Sequence, residues 1–180
     1  STDARTVAIT QANTNVTANS VTDAITFNAG ALTYTGAITG ESSVDDTLSL
    51  DNDADVSGGA IANVEALTLS SGASVRLSAQ QNQGFTGTVI APGTGVNGED
   101  ITIVGDGAMT TLAQVENYVI DDDSSNTRTV TISSADTNVT APSSTDAVTF
   151  NVGALTYTGA ITGESTVDDT LSLDTDADVS

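Results

Sequence analysis

Apolar and polar residues alternate along this chain in short bursts. The commonest burst is an apolar–polar–apolar triplet: Ile25-Thr-Phe27, Leu48-Ser-Leu50, Leu67-Thr-Leu69, Val75-Arg-Leu77 and Ile101-Thr-Ile103. It resumes as Val130-Thr-Ile132, Val148-Thr-Phe150 and Leu171-Ser-Leu173, with Val7-Ala-Ile9 a looser version. Successive side chains of a strand point to opposite faces, so each triplet predicts a strand that buries its outer residues and shows Thr or Ser to solvent. Gly30, Gly36, Gly40, Gly58-Gly59, Gly72, Pro92-Gly93 and Gly105-Asp-Gly107 punctuate the triplets as turn residues. Helical periodicity is weak: residues 110–117 fit one or two turns of helix, and residues 80–83 a shorter one.

The spacing of the triplets suggests the fold class. Val7 to Ile25 is 18 residues, Ile25 to Leu48 is 23 and Leu48 to Leu67 is 19. Steps near twenty match one coil of a β-solenoid with two or three strands per coil. Tandem immunoglobulin-like β-sandwiches are the alternative, with strands every 8–12 residues.

A long internal repeat supports the solenoid. Residues 1–57 return as residues 124–180, an offset of 123, with 44 of 57 pairs identical. Residues 1–123 thus form one full unit and residues 124–180 the first part of the next, as in a tandem array. At about twenty residues per coil a unit holds roughly six coils, and it is longer than the ~100 residues of a typical sandwich. Residues 30–57 and 153–180 differ at only two positions, Ser43/Thr166 and Asn52/Thr175.

Composition narrows the function. The chain carries 24 acidic residues against 3 arginines, a net charge of −21. That excludes a basic footprint for nucleic acid and opposes docking on anionic lipid. It leaves two readings, an acidic surface that repels its neighbours or Ca²⁺ binding through carboxylates. Aromatic residues are 3% and cysteines absent, so a thin layered body of Val, Ile, Leu and Ala is expected, without disulfides. No apolar run approaches the ~20 residues of a membrane span, so no membrane insertion is expected.

The run Gly40-Glu-Ser-Ser-Val-Asp-Asp-Thr-Leu-Ser-Leu50, then Asp51-Asn-Asp-Ala-Asp-Val-Ser-Gly-Gly59 and Ile61-Ala-Asn-Val-Glu-Ala-Leu-Thr-Leu69, resembles repeats of giant bacterial surface proteins. These are RTX-like adhesins and S-layer-type proteins exported by type I secretion. The resemblance covers about a quarter of the unit and implies an extracellular, array-forming β-solenoid. The RTX nonapeptide Gly-Gly-x-Gly-x-Asp-x-apolar-x binds Ca²⁺ in a β-roll. Here residues 40–45 keep Gly40 and Asp45 but place Glu41 and Ser43 where Gly is expected, so the nonapeptide site does not carry over residue by residue.

The strongest chemical motif is Asp51, Asp53 and Asp55, repeated as Asp174, Asp176 and Asp178. Carboxylates at i, i+2 and i+4 are similar to the opening of an EF-hand loop. Val56 stands where that loop has Gly, and Ala62 where it has a bidentate Glu. A solvated acidic turn is the plain alternative. Asp45-Asp46 and their copies Asp168-Asp169 either complete a site with Glu41 or Glu164 or end a coil and keep neighbouring edges apart. Residues 121–126 read as an exposed loop at the seam between units. Arg5 and Arg128, repeat equivalents, read as seam contacts to acidic turns. Asn15-Val-Thr17 and Asn138-Val-Thr140 are glycosylation sequons by pattern, read as turn asparagines beside strands. Outward Thr26, Thr68, Thr102, Thr131 and Thr149 raise ice binding, which uneven coils and Arg76 oppose.

No His, Cys or Lys is available for catalysis, so no enzyme is expected. The leading expectation is a structural extracellular repeat protein: a fibre, surface layer or adhesin stalk that self-associates through neighbouring repeats. The alternatives are an adhesin module rigidified by Ca²⁺ that binds glycan or a cell surface, and a carbohydrate-active β-helix enzyme using paired carboxylates.

Overall fold

The apolar triplets become strands, and every strand pairs parallel with one a full turn away. A computed structural model describes residues 5–18, 22–93, 98–121, 128–142 and 146–179. Along the chain, β1 (Arg5–Ala8), β2 (Val16–Thr17), β3 (Ile25–Gly30) and β4 (Ala37–Thr39) come first. β5 (Thr47–Leu50), β6 (Ala60–Ala62), β7 (Ala66–Leu69) and β8 (Ser74–Ser78) lead into the short helix α1 (Ala79–Gly84). Then follow β9 (Val89–Ile90), β10 (Asp100–Val104), β11 (Met109–Thr110), β12 (Asn117–Asp121), β13 (Arg128–Ile132) and β14 (Asn138–Thr140). β15 (Val148–Val152), β16 (Thr156–Tyr157), β17 (Ile161–Thr162), β18 (Thr170–Leu173) and β19 (Asp178–Val179) complete the order. The protein is an all-β parallel solenoid of about eight turns.

Three ladders run along it. The first stacks β1, β3, β5, β7 and β9. The second begins with single bridges from Thr33 to Asp55 and from Asp55 to Arg76, then continues through β8, β10, β12, β14 and β17. The third starts with β2, β4 and β6 and resumes with β11, β13, β15 and β18. Helix α1 fills the gap in the third ladder. Gln81 Nε2 donates to the carbonyls of Val56 (2.7 Å) and Gly59 (2.9 Å), while Asn82 Nδ2 donates to Thr110 O (2.8 Å). The helix is too short to stand on propensity. Its start is held by a capping box between Ser78 and Gln81.

The core is a set of inward columns. Phe27, Leu48, Leu67 and Val89 are register partners along the first ladder, and Val75, Ile101, Tyr118, Val139 and Ile161 along the second. Phe27, Leu48, Leu67, Val75 and Ile101 are fully buried, each such side chain contributing about 1.5–3 kcal/mol. The middle residues Thr26, Ser49, Thr68, Arg76 and Thr102 face outward. The 23-residue step from Ile25 to Leu48 is resolved by register: Phe27, not Ile25, stacks on Leu48, and a bulge sets Gly30 opposite Leu50. Gly30 takes φ 56° there, a conformation a side chain resists.

The helix expected over 110–117 does not form. Thr111 N donates to Thr131 O (2.9 Å) and Leu112 N to the Tyr118 hydroxyl (2.8 Å). These N–H groups serve neighbouring residues instead of an intrahelical ladder. The shorter helical reading at 80–83 corresponds to α1.

Leu48 and Leu171 are repeat equivalents in strands of identical sequence, but Leu48 lies between β3 and β7 and is fully buried, whereas Leu171 pairs on one side only, with β15, and is 48% exposed. Leu48→Ala is expected to cost about 3 kcal/mol and Leu171→Ala less than about 1.5 kcal/mol, read from urea denaturation midpoints.

Candidate functional site

The acidic residues take distinct places. Asp51 and Asp53 are exposed in the turn after β5, where Asp53 has φ 66°. Asp55 belongs to the second ladder. Its Oδ1 accepts from Ser57 N (3.0 Å) and Ser57 Oγ (2.6 Å), and its Oδ2 lies 3.7 Å from Arg76 Nε. Arg76 also reaches Asp121 Oδ2 at 2.6 Å. Asp174, Asp176 and Asp178 are exposed, with Asp178 pairing Thr156 as Asp55 pairs Thr33. Among the described residues no three acidic side chains gather at one point.

Asp45 and Asp168 are exposed, but Asp46 is fully buried. Its Oδ1 accepts from Ile25 N (2.6 Å) and its Oδ2 from Glu41 N (2.7 Å). Asp169 repeats this with Val148 N (2.8 Å) and Glu164 N (2.8 Å). The carboxylate therefore ties a strand of the preceding turn to the 40–46 turn, through charge-assisted bonds roughly twice as strong as neutral ones. Gly40 leaves the room: a Cβ there would lie 2.6 Å from Asp46 Oδ2 and collide with the Asn63 carbonyl.

The arrangement is a pattern. An acid stands two residues before an inward apolar residue at Asp46, Glu65, Glu99, Glu116 and Asp169. Glu65 Oε2 accepts from Asp46 N (3.3 Å), and Glu99 Oε1 accepts from Gly72 N (3.1 Å) and Gly93 N (2.7 Å). At the entrances marked by Asp46, Glu65, Glu99 and Asp169 a carboxylate satisfies main-chain N–H groups.

Glu99 and Glu116 form a close acid pair that the triplet pattern alone does not reveal. They are 17 residues apart, and the register Asp100 to Asn117 brings them side by side. Glu99 is fully buried. The Oε2 atoms of both residues are buried without a hydrogen-bond partner. Desolvation first, and then the Glu99 charge, hold the Glu116 carboxyl above its ordinary value. The shared entrance pattern, Glu99-Asp-Ile and Glu116-Asn-Tyr, was the available signal.

Other polar groups serve the turns. Asn15 Oδ1 accepts from Ala37 N and Asn138 Oδ1 from Ala160 N, each at 2.9 Å, so both sequon asparagines brace the next turn. The Tyr34 hydroxyl shares its single proton between the carbonyls of Thr14 and Ala37, and that of Tyr157 between those of Thr137 and Ala160. Burial pushes the Tyr157 phenol up to about 12, keeping it a donor. Arg5 is exposed, whereas Arg128 is fully buried, with Nη1 3.5 Å from Ile103 O. In the expected seam loop, residues 122–127 lie outside the described residues, and Asp121 is the last residue of β12. Of the candidate ice-binding threonines, Thr26 and Thr68 lie on the first ladder, Thr102 on the second, and Thr131 and Thr149 on the third. They form no common face.

A cleft of about 370 Å³ beside β9 is lined by Phe85, Thr88, Val89, Thr111, Leu112 and Gln114, with no titratable side chain. The class defined by these features is a three-ladder parallel β-solenoid in which acidic side chains brace the turns. Compared with known proteins, the chain matches no family model, no curated protein and no solved structure.

Asp46→Ala, which strands two N–H groups, is expected to destabilise the fold by about 2–4 kcal/mol, measured by urea denaturation. The raised Glu116 carboxyl contributes stability that is complete below the ordinary value of 4.5 and lost as pH rises through its higher folded value. Glu116→Gln should therefore flatten the fall in melting temperature above pH 4.5. An unchanged pH profile would show that the pair does not titrate in this window.

Proposed function

We propose that this chain is a structural segment of an extracellular repeat protein: a stalk, fibre or surface layer built by stacking units end to end. The observation that carries this reading is the seam between copies. β12 of the first copy pairs with β14 of the second, and β11 pairs with β13. Arg128, Val130 and Ile132 are buried there; of their equivalents, Arg5 is exposed, Val7 half-buried and Ile9 buried. A second unit thus adds by the same parallel hydrogen bonds and apolar columns that hold turns together within a unit. Such growth has no natural limit in length, which suits a mechanical element.

The remaining features agree with that role. The exposed acids repel neighbouring rods and keep them apart in solution. The buried Asp46 carboxylate and Oε1 of Glu99 accept from main-chain N–H groups, and the cleft beside β9 holds no acid or base to act on a substrate. The absence of cysteine suits rigidity drawn from stacking alone. Secretion to the cell surface is the location in which such a rod is useful, and self-association through neighbouring units is its main partnership.

Negative-stain micrographs of concentrated full chain are expected to show rods formed by end-to-end association; compact monomers at every concentration would count against the reading. The oxygens of Asp46 and Asp55 are already engaged by the protein, so the melting temperature in chelator is expected to equal that in excess Ca²⁺. A calcium-dependent rise would restore the ion to the acidic turns and favour a calcium-rigidified adhesin, for which a glycan-array hit would be the next sign.

A further inference from the structure

The sequence repeat and the structural repeat are out of phase. β13 is the sequence equivalent of β1, but β1 lies on the first ladder and β13 on the third. β14 and β17 are the equivalents of β2 and β4, yet they lie on the second ladder while β2 and β4 lie on the third. The pair β16–β19 repeats the bridge from Thr33 to Asp55. β13, β14, β15, β17 and β18 each lie one ladder away, in the same sense, from β1, β2, β3, β4 and β5.

The turn count agrees. From β1 to β9 the first ladder makes four turns, through β3, β5 and β7. From β9 the chain passes β10 and β11, then closes a turn and passes β12 before reaching β13 on the third ladder. One unit is thus about five and two-thirds turns, or about 27 Å of axis at ~4.8 Å per turn.

We infer that a tandem array of this unit is a three-sided rod in which each unit's surface is turned by a third of a revolution from the last. Any partner that recognises a patch of the unit, whether a neighbouring rod or a soluble ligand, meets that patch on three sides in succession. The pattern returns to the same side only after three units, about 17 turns or ~82 Å. The acidic turn 51–55 illustrates it: the turn follows a first-ladder strand in one copy and a third-ladder strand in the next. Such a rod has no single adhesive face and is suited to contacts all round its axis. This inference rests on the array reading for its role, but its geometry is measurable in the chain alone.

The chain contains no cysteine, so introduced pairs report cleanly. Val119→Cys with Thr140→Cys joins register neighbours across the seam on the second ladder, within the Cα range of a disulfide. Thr17→Cys with Thr39→Cys joins register neighbours within the first copy on the third ladder and serves as the control. Oxidation is expected to link both pairs to a similar fraction. A Thr17/Thr39 link without the Val119/Thr140 link would overturn the phase shift. As a second readout, Ser43→Cys and Thr166→Cys, both exposed equivalents, are biotinylated in one chain and decorated with streptavidin. Class averages should show the two tags on different sides of the rod; both on one side would overturn the inference. Failure of the protein to form long rods would defeat the array reading and leave this phase intact.

Discussion

Every turn of this molecule depends on one constraint: its main-chain N–H and C=O groups are satisfied by the turns on either side. Parallel pairing at one-turn register supplies those bonds, and it forces successive turns to bring inward residues into line. Phe27, Leu48, Leu67 and Val89 share a column because the backbone leaves them no other position. Length differences are absorbed at corners. The second ladder advances 26 residues from Ser74 to Asp100, a turn that includes helix α1, and only 17 from Asp100 to Asn117.

The same constraint explains the use of acidic residues. A strand's first residues need acceptors where a ladder starts late or a corner intervenes. Asp46, Glu65, Glu99 and Asp169 supply them from the entrance of the adjoining strand. Buried carboxylates are costly unless hydrogen-bonded, and Asp46 meets that condition with both oxygens, as does its half-buried copy Asp169. Glu99 meets it with Oε1, while burial and then the Glu99 charge hold the Glu116 carboxyl above its ordinary value. The strong negative charge therefore has two components, one bracing the interior and one exposed to water.

Stacking also makes the junction between units chemically the same as the junction between turns. Arg128, Val130 and Ile132 are covered by the preceding unit, much as Leu48 and Leu50 are covered by β7 within a unit. A fractional number of turns is compatible with this because the three ladders have similar inward chemistry: Val, Ile, Leu and Phe columns accept each other's strands. Volume-conserving apolar swaps of this kind are tolerated in packed cores.

The alternating triplets, the glycine punctuation and the near-twenty spacing were legible in the chain itself and determined an all-β body of stacked short strands, because period-two burial is a local property. Tyr118-Val-Ile120 escaped that reading since its outward residue is also apolar, and residues 110–117 looked helical because two of the acceptors that hold them out of a helix, Thr131 O for Thr111 N and Glu99 O for Asn117 N, are distant in sequence. The 123-residue repeat was visible, but not the ladder on which each copy lands. That depends on how many residues each corner consumes, a quantity set by three-dimensional closure. The pairing of Glu99 with Glu116, the burial of Asp46 and Arg128, and the third-of-a-turn advance were decided only by tertiary structure. Each arises where residues of separate turns meet, and only the register between turns specifies which residues those are.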